Sequence, residues 1–166
     1  VWGPLMVGGT FFVVSGGVWQ NWIIPLSLVY ALGPTSVLFG KHIDKRTADK
    51  KKGVGTLPVI IGEKASRYTT LAMWGLQYAL VGWLVFSGQL GFSVLIVALA
   101  IPKLIRVFGV FSQPRPEEEP PGLAPDTWPL YLSAHAFAYN RQFGSFFLLG
   151  LILDVVLYKA GLTMLA

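Results

Sequence analysis

The 166 residues contain no cysteine, which excludes disulfides, thiolate chemistry and cysteine-bound metal sites. Histidine occurs only twice, too few for a His-rich zinc centre. Charge is scarce: Asp, Glu, Lys and Arg make up 13% of the chain, against about a quarter of a soluble domain. No charged segment precedes the apolar opening at Val1, so the opening run is expected to be a span rather than a signal peptide. No internal repeat and no coiled-coil heptad is present. What remains is apolar. Hydrophobic residues make up 54% of the chain, and they are gathered into long runs rather than spread evenly. These features predict an all-α, polytopic transmembrane bundle. The opening on Val1 further leads us to expect that an N-terminal part of a longer protein precedes it.

Five spans are expected. The first covers residues 1–18 and is rich in glycine, which suits close helix packing in lipid. Trp19 and Trp22 follow, at a predicted membrane–water boundary. The second run is 23–40, where Gly33-Pro34 predicts a kink. The third is 68–87, closed by the turn "GQLG", and the fourth is 92–111. A Pro/Glu-rich segment, 112–127, has the composition of a solvated loop. After it, "WPLYLSAHAFAYNRQF" reads as an amphipathic or broken helix leading into a final span.

The net charge of +5 does not point to nucleic acid, because it is local: eight of the thirteen Lys and Arg fall within residues 41–67. The positive-inside rule places this loop in the cytoplasm, with the protein integral to a membrane, expected to be the cell inner membrane. The rule by itself accounts for the cations. It does not account for Asp44 and Asp49 among them. Near hydrocarbon, a carboxylate is costly unless paired or bound to a cation. Lys45, Arg46 and Lys50 could pair with both acids. Alternatively, magnesium takes one or two carboxylates together with substrate phosphate oxygens, and the cations hold the remaining phosphate charge. On a regular helix, positions five apart diverge by about 140°. Both acids can therefore face one ion only if the helix ends between them.

The stretch "DKRTADKKKGVGTLPVIIGE" resembles the second aspartate-rich loop of the UbiA-type intramembrane prenyltransferases, with Gly53, Thr56, Leu57, Pro58, Val59 and Gly62 in the family's pattern. The resemblance implies a bundle of about nine helices, of which this chain would supply the C-terminal half as one transmembrane domain, residues 1–166. It implies transfer of an isoprenoid chain from a prenyl diphosphate to a lipophilic acceptor, often aromatic, within membrane lipid. Mg2+ would be held by Asp44 and Asp49, the catalytic acids, with Lys45, Arg46, Lys50 and Arg141 as diphosphate contacts. Asp49 matches the family's terminal aspartate. Asp44 stands one residue further out than the common spacing. The first aspartate motif, Asn/Asp-Asp-x-x-Asp, is absent, so it is expected from a missing N-terminal half or a partner subunit. The alternative is a non-catalytic, prenyltransferase-like subunit of a larger membrane complex.

Other residues carry two readings. Arg141 within an apolar stretch marks a functional site, or else a side chain that reaches the boundary. His42 and His135 are boundary residues or substrate contacts. Asp154 is expected to face the bundle interior, where it could pair with a cation on a neighbouring span. Aromatic residues such as Trp74 and Tyr78 are expected mainly in helix packing.

Overall fold

A computed structural model describes residues 2–125 and 127–162. Among these, every regular element is helical. A π-helical opening, Trp2–Gly8, runs into α1 (Gly9–Val14). It is followed by α2 (Ile23–Asp44), α3 (Arg46–Lys51) and α4 (Leu57–Phe86). A 3-10 segment (Phe92–Ala100) continues into α5 (Ile101–Ser112), and α6 (Tyr131–Lys159) closes the chain.

Among the described residues, four helices are long and apolar enough to cross a membrane: Ile23–Asp44, Leu57–Phe86, Phe92–Ser112 and Tyr131–Lys159. The shortest has 21 residues, about 31 Å of α-helix at 1.5 Å per residue, or more where it is 3-10. The first expected span falls short, because its apolar helix covers only Gly3–Val14. It ends at Gly16 and Gly17, both at positive φ (71° and 89°), where an L-residue would not sit comfortably. The final span also differs from expectation. No proline lies within Tyr131–Lys159, and the helix runs unbroken through His135, Asn140 and Arg141.

The charged stretch is mostly helix rather than loop. α2 extends to Asp44, Lys45 interrupts it (φ −97°, ψ 3°), and α3 carries Asp49. Only residues 52–56 are free of helix before α4. Gly53 there takes φ 70° and Thr56 is extended, which lets Pro58 enter the first turn of α4, where its missing N–H costs nothing. Gly62 (φ 83°, ψ 168°) then breaks the helical path, so the straight part of α4 begins close to the expected third span.

In lipid, helix association relies on close packing and buried polar contacts rather than on hydrophobic burial. Large apolar residues such as Leu76, Trp83, Phe86, Leu148 and Ile152 accordingly face outward. Between helices, small residues allow close approach. A methyl group on Gly40 would lie 2.9 Å from the Ser133 backbone, and one on Gly150 would lie 2.7 Å from Val94 Cα. The centre is aromatic: Trp74 on α4 sits edge-on to Phe111 (4.9 Å) and tilted against Tyr139 (5.0 Å), and Phe143 extends the row.

Candidate functional site

The end of the bundle where α2 stops and α6 begins concentrates the polar chemistry. Leu130 precedes α6 and offers no side-chain cap, so the first N–H groups of that helix need an acceptor from elsewhere. Asp44 supplies it. Its Oδ1 accepts from Leu132 N (3.1 Å) and its Oδ2 from Ser133 N (2.9 Å). A carboxylate at a helix N-terminus is also favoured by the helix dipole. Gly40 makes this reach possible, since it lies one turn earlier on α2 and lets the two backbones touch.

Arg115, from the segment between α5 and α6, completes the arrangement. Its Nε donates to Asp44 Oδ1 at 3.1 Å. Its Nη2 and Nη1 donate to the carbonyls of Pro129 and Pro116 (2.9 Å each), and its guanidinium stacks on Trp128 (4.4 Å to the ring centre). Its own N–H donates to Glu63 Oε1 on α4 (2.9 Å). Glu63 also faces Arg67 (3.4 Å), whose Nη1 donates to Phe111 O in the last turn of α5. One polar network thus joins the ends of four helices. The Asp44 side chain within it is 0% exposed.

Asp49 is placed differently. The helix does end between the two acids, as a shared ion would require, but they have separate partners. Asp49 Oδ2 lies 3.3 Å from His42 Nδ1, with side-chain exposures of 17% and 36%. Around it, Lys45 and Lys50 are exposed and Arg46 is half-buried.

A second feature lies deeper. α2, α4, α6 and Val7 enclose a cavity of about 540 Å³ with a largely apolar lining. Gln77, Asn140, Arg141 and Ser145 bring polar side chains to it, and Tyr30 a phenol. Gln77 Nε2 donates to Val29 O (2.9 Å), which ties α4 to α2, while its Oε1 is buried without a partner among the described residues. Arg141 stands ten residues into α6, about 15 Å of helix from the end that Asp44 caps. The structure therefore brings Arg141 to the cavity rather than to Lys45, Arg46 and Lys50. Among the described residues it makes no ion pair.

The family model for the UbiA prenyltransferase family matches residues 1–121. The chain belongs to the UbiA prenyltransferase family. No curated protein and no solved structure matches it. Family membership and the four apolar helices make it an integral membrane protein of prenyltransferase type, a class that works on prenyl diphosphates and lipophilic acceptors with a divalent metal. The match takes in α1 to α5 and stops before α6.

The acids of this UbiA chain can be tested against such a metal. Among the described residues no three His, Asp or Glu side chains gather as a metal site. The two oxygens of Asp44 accept three hydrogen bonds and are closed to solvent. Asp49 retains an oxygen without a protein partner and is partly exposed. The donor set therefore fits an ion that takes one carboxylate here and its other ligands from water and phosphate, the usual habit of magnesium.

Sequence reasoning missed Arg115, Glu63, Arg67 and Gln77. For Gln77 there was a signal, an amide in the middle of an apolar run. Arg115 gave none, because the partners that join it to other helices lie far off in the chain: Pro129 at 14 positions, Glu63 at 52 and Asp44 at 71. Asp154 does face inward, 4% exposed, and among the described residues it pairs with no cation. Its carboxylate accepts from Gly91 N (2.7 Å) and Ser93 Oγ (3.0 Å).

Proposed function

We propose that this protein transfers a prenyl group from a prenyl diphosphate to a lipophilic acceptor, with Mg2+ at the corner between α2 and α3 and the charged end facing the cytoplasm. The observation that carries this reading is Asp49. It is a partly exposed carboxylate bracketed by Lys45, Arg46 and Lys50, at the end of a bundle that also holds a large apolar cavity. Asp49 would hold the ion, with His42 orienting its other oxygen. A bound divalent ion supplies neutralisation of the charge that develops on the departing diphosphate. Lys45, Arg46 and Lys50 take the remaining phosphate oxygens through charge-assisted hydrogen bonds. The cavity begins about 15 Å along α2 from the acid end, counting from Pro34 to Asp44, so a substrate with its head at Asp49 has its apolar chain directed there. Its walls keep water from the allylic carbon. Arg141 faces that cavity and contacts the polar part of whichever substrate enters it.

The test is prenyl transfer by the intact protein with magnesium. Asp49→Ala should abolish turnover while thermal unfolding stays within a degree or two of the parent; retained turnover rejects the assignment. A second reading, a non-catalytic subunit, draws on the observation that among the described residues no three His, Asp or Glu side chains gather as a metal site. It predicts no turnover by the intact protein and stable co-purification with a partner. An Asn/Asp-Asp-x-x-Asp loop upstream of Val1 would favour the enzyme.

A further inference from the structure

Asp44 occupies the place of a metal ligand in the sequence pattern, yet its surroundings serve another purpose. Oδ1 accepts from Arg115 Nε and from Leu132 N, which uses both of its in-plane lone pairs. Oδ2 accepts from Ser133 N and is shut off from solvent. To reach an ion, the carboxylate would have to leave two N–H groups of α6 and the Nε–H of Arg115 without an acceptor. Buried donors without acceptors cost about 1–3 kcal/mol each, and more where charged. Gly40 argues independently for the same arrangement. Its lack of a side chain brings α2 against the Leu132–Ser133 backbone, and Asp44 lies four residues further along the same face.

We propose that Asp44 is a positioning residue and not a metal ligand. Together with Arg115 it locks the end of α2 to the start of α6 and to the segment carrying Trp128. This fixes the corner from which α3 presents Asp49. The connection is short: α2 ends at Asp44, Lys45 turns the chain, and Asp49 N donates to Lys45 O at 2.8 Å. Arg115 is the second member of the pair. It acts through Asp44 and through Pro129 O, and it touches neither Asp49 nor a cation of the α3 corner.

The proposal builds on the reading of Asp49 as the metal-facing acid, and its test separates the two. Asp44→Asn, Asp49→Asn and Arg115→Gln are made in the intact protein, and binding of inorganic pyrophosphate is titrated against magnesium by calorimetry. Amide exchange at Leu132 and Ser133 and thermal unfolding are followed in the same samples. Asp44→Asn and Arg115→Gln should both speed exchange at α6's start at least tenfold and lower the unfolding temperature. They should weaken pyrophosphate binding severalfold at saturating magnesium, with the magnesium concentration for half-saturation unchanged. Asp49→Asn should raise that concentration at least tenfold and leave exchange at α6 as in the parent. The proposal is overturned if Asp44→Asn shifts the magnesium midpoint as Asp49→Asn does, or if it leaves exchange at Leu132 and Ser133 untouched. Should Asp44→Asn fail to fold, Arg115→Gln, which keeps every carboxylate, decides by the same criteria. If the parent protein binds no pyrophosphate with magnesium, the functional reading of Asp49 fails, while the exchange data still judge the role of Asp44.

Discussion

Replacing Asp154 by alanine should be among the most damaging single changes at the end of the bundle away from the charges. The residue lies on α6 and is 4% exposed. It accepts from Gly91 N at 2.7 Å and from Ser93 Oγ at 3.0 Å, so it caps the 3-10 segment that opens the third span. A hydrogen bond to a charged group contributes about 1.5–3 kcal/mol, and a buried N–H left without a partner costs about 1–3 kcal/mol. Ser93 can fall back on Gly150 O, which it already meets at 3.2 Å, so the loss concentrates on Gly91. The expected destabilisation is about 3 kcal/mol. At about 2–4 °C per kcal/mol for a chain of this size, thermal unfolding should fall by about 6–12 °C. Asp154→Asn keeps one acceptor oxygen and should lose about half as much. A double-mutant cycle with Ser93→Ala should then show positive coupling, since the two side chains touch. The assay is thermal unfolding in detergent together with amide exchange at Gly91. If Asp154→Ala unfolds within two degrees of the parent and Gly91 exchanges no faster, the capping argument is wrong.

Three further outcomes follow from the same packing. Gln77→Leu should destabilise by about 1–3 kcal/mol, by removing the amide that ties α4 to Val29 O of α2, and hydrogen exchange in the turn over residues 29–33 should rise. Gly40→Val should lower the unfolding temperature more than Gly33→Ala, because the former meets the Ser133 backbone at 2.9 Å and the latter meets the end of the Asn140 side chain, which can turn away. Arg141→Leu should leave the unfolding temperature unchanged or raise it, because it removes an unpaired cation from a spanning helix, while turnover or substrate affinity falls; steady-state kinetics that match the parent would detach Arg141 from the cavity's function.

Much of this protein follows from its sequence alone. Three apolar runs and the turn at Gly88 depend on composition and local backbone geometry, and they stand close to where those predict; α2, by contrast, runs as one helix through Pro34, where a kink was expected. The glycines at 53 and 62 likewise act through their own φ angles. The charged end is legible as a concentration of cations around two acids, and its family pattern with it. What the sequence left undecided is the division of labour between those acids. Five positions apart, they look equivalent, and a break in the helix was the only condition for both to meet one ion. The break is present at Lys45. Yet Asp44 turns toward Arg115, Leu132 and Ser133, which lie 71 to 89 positions away, and Asp49 toward His42, seven positions away. A helix preceded by leucine must take its cap from whatever side chain the fold brings to it. Only the meeting of α2 with α6 across Gly40 determines that this side chain is Asp44.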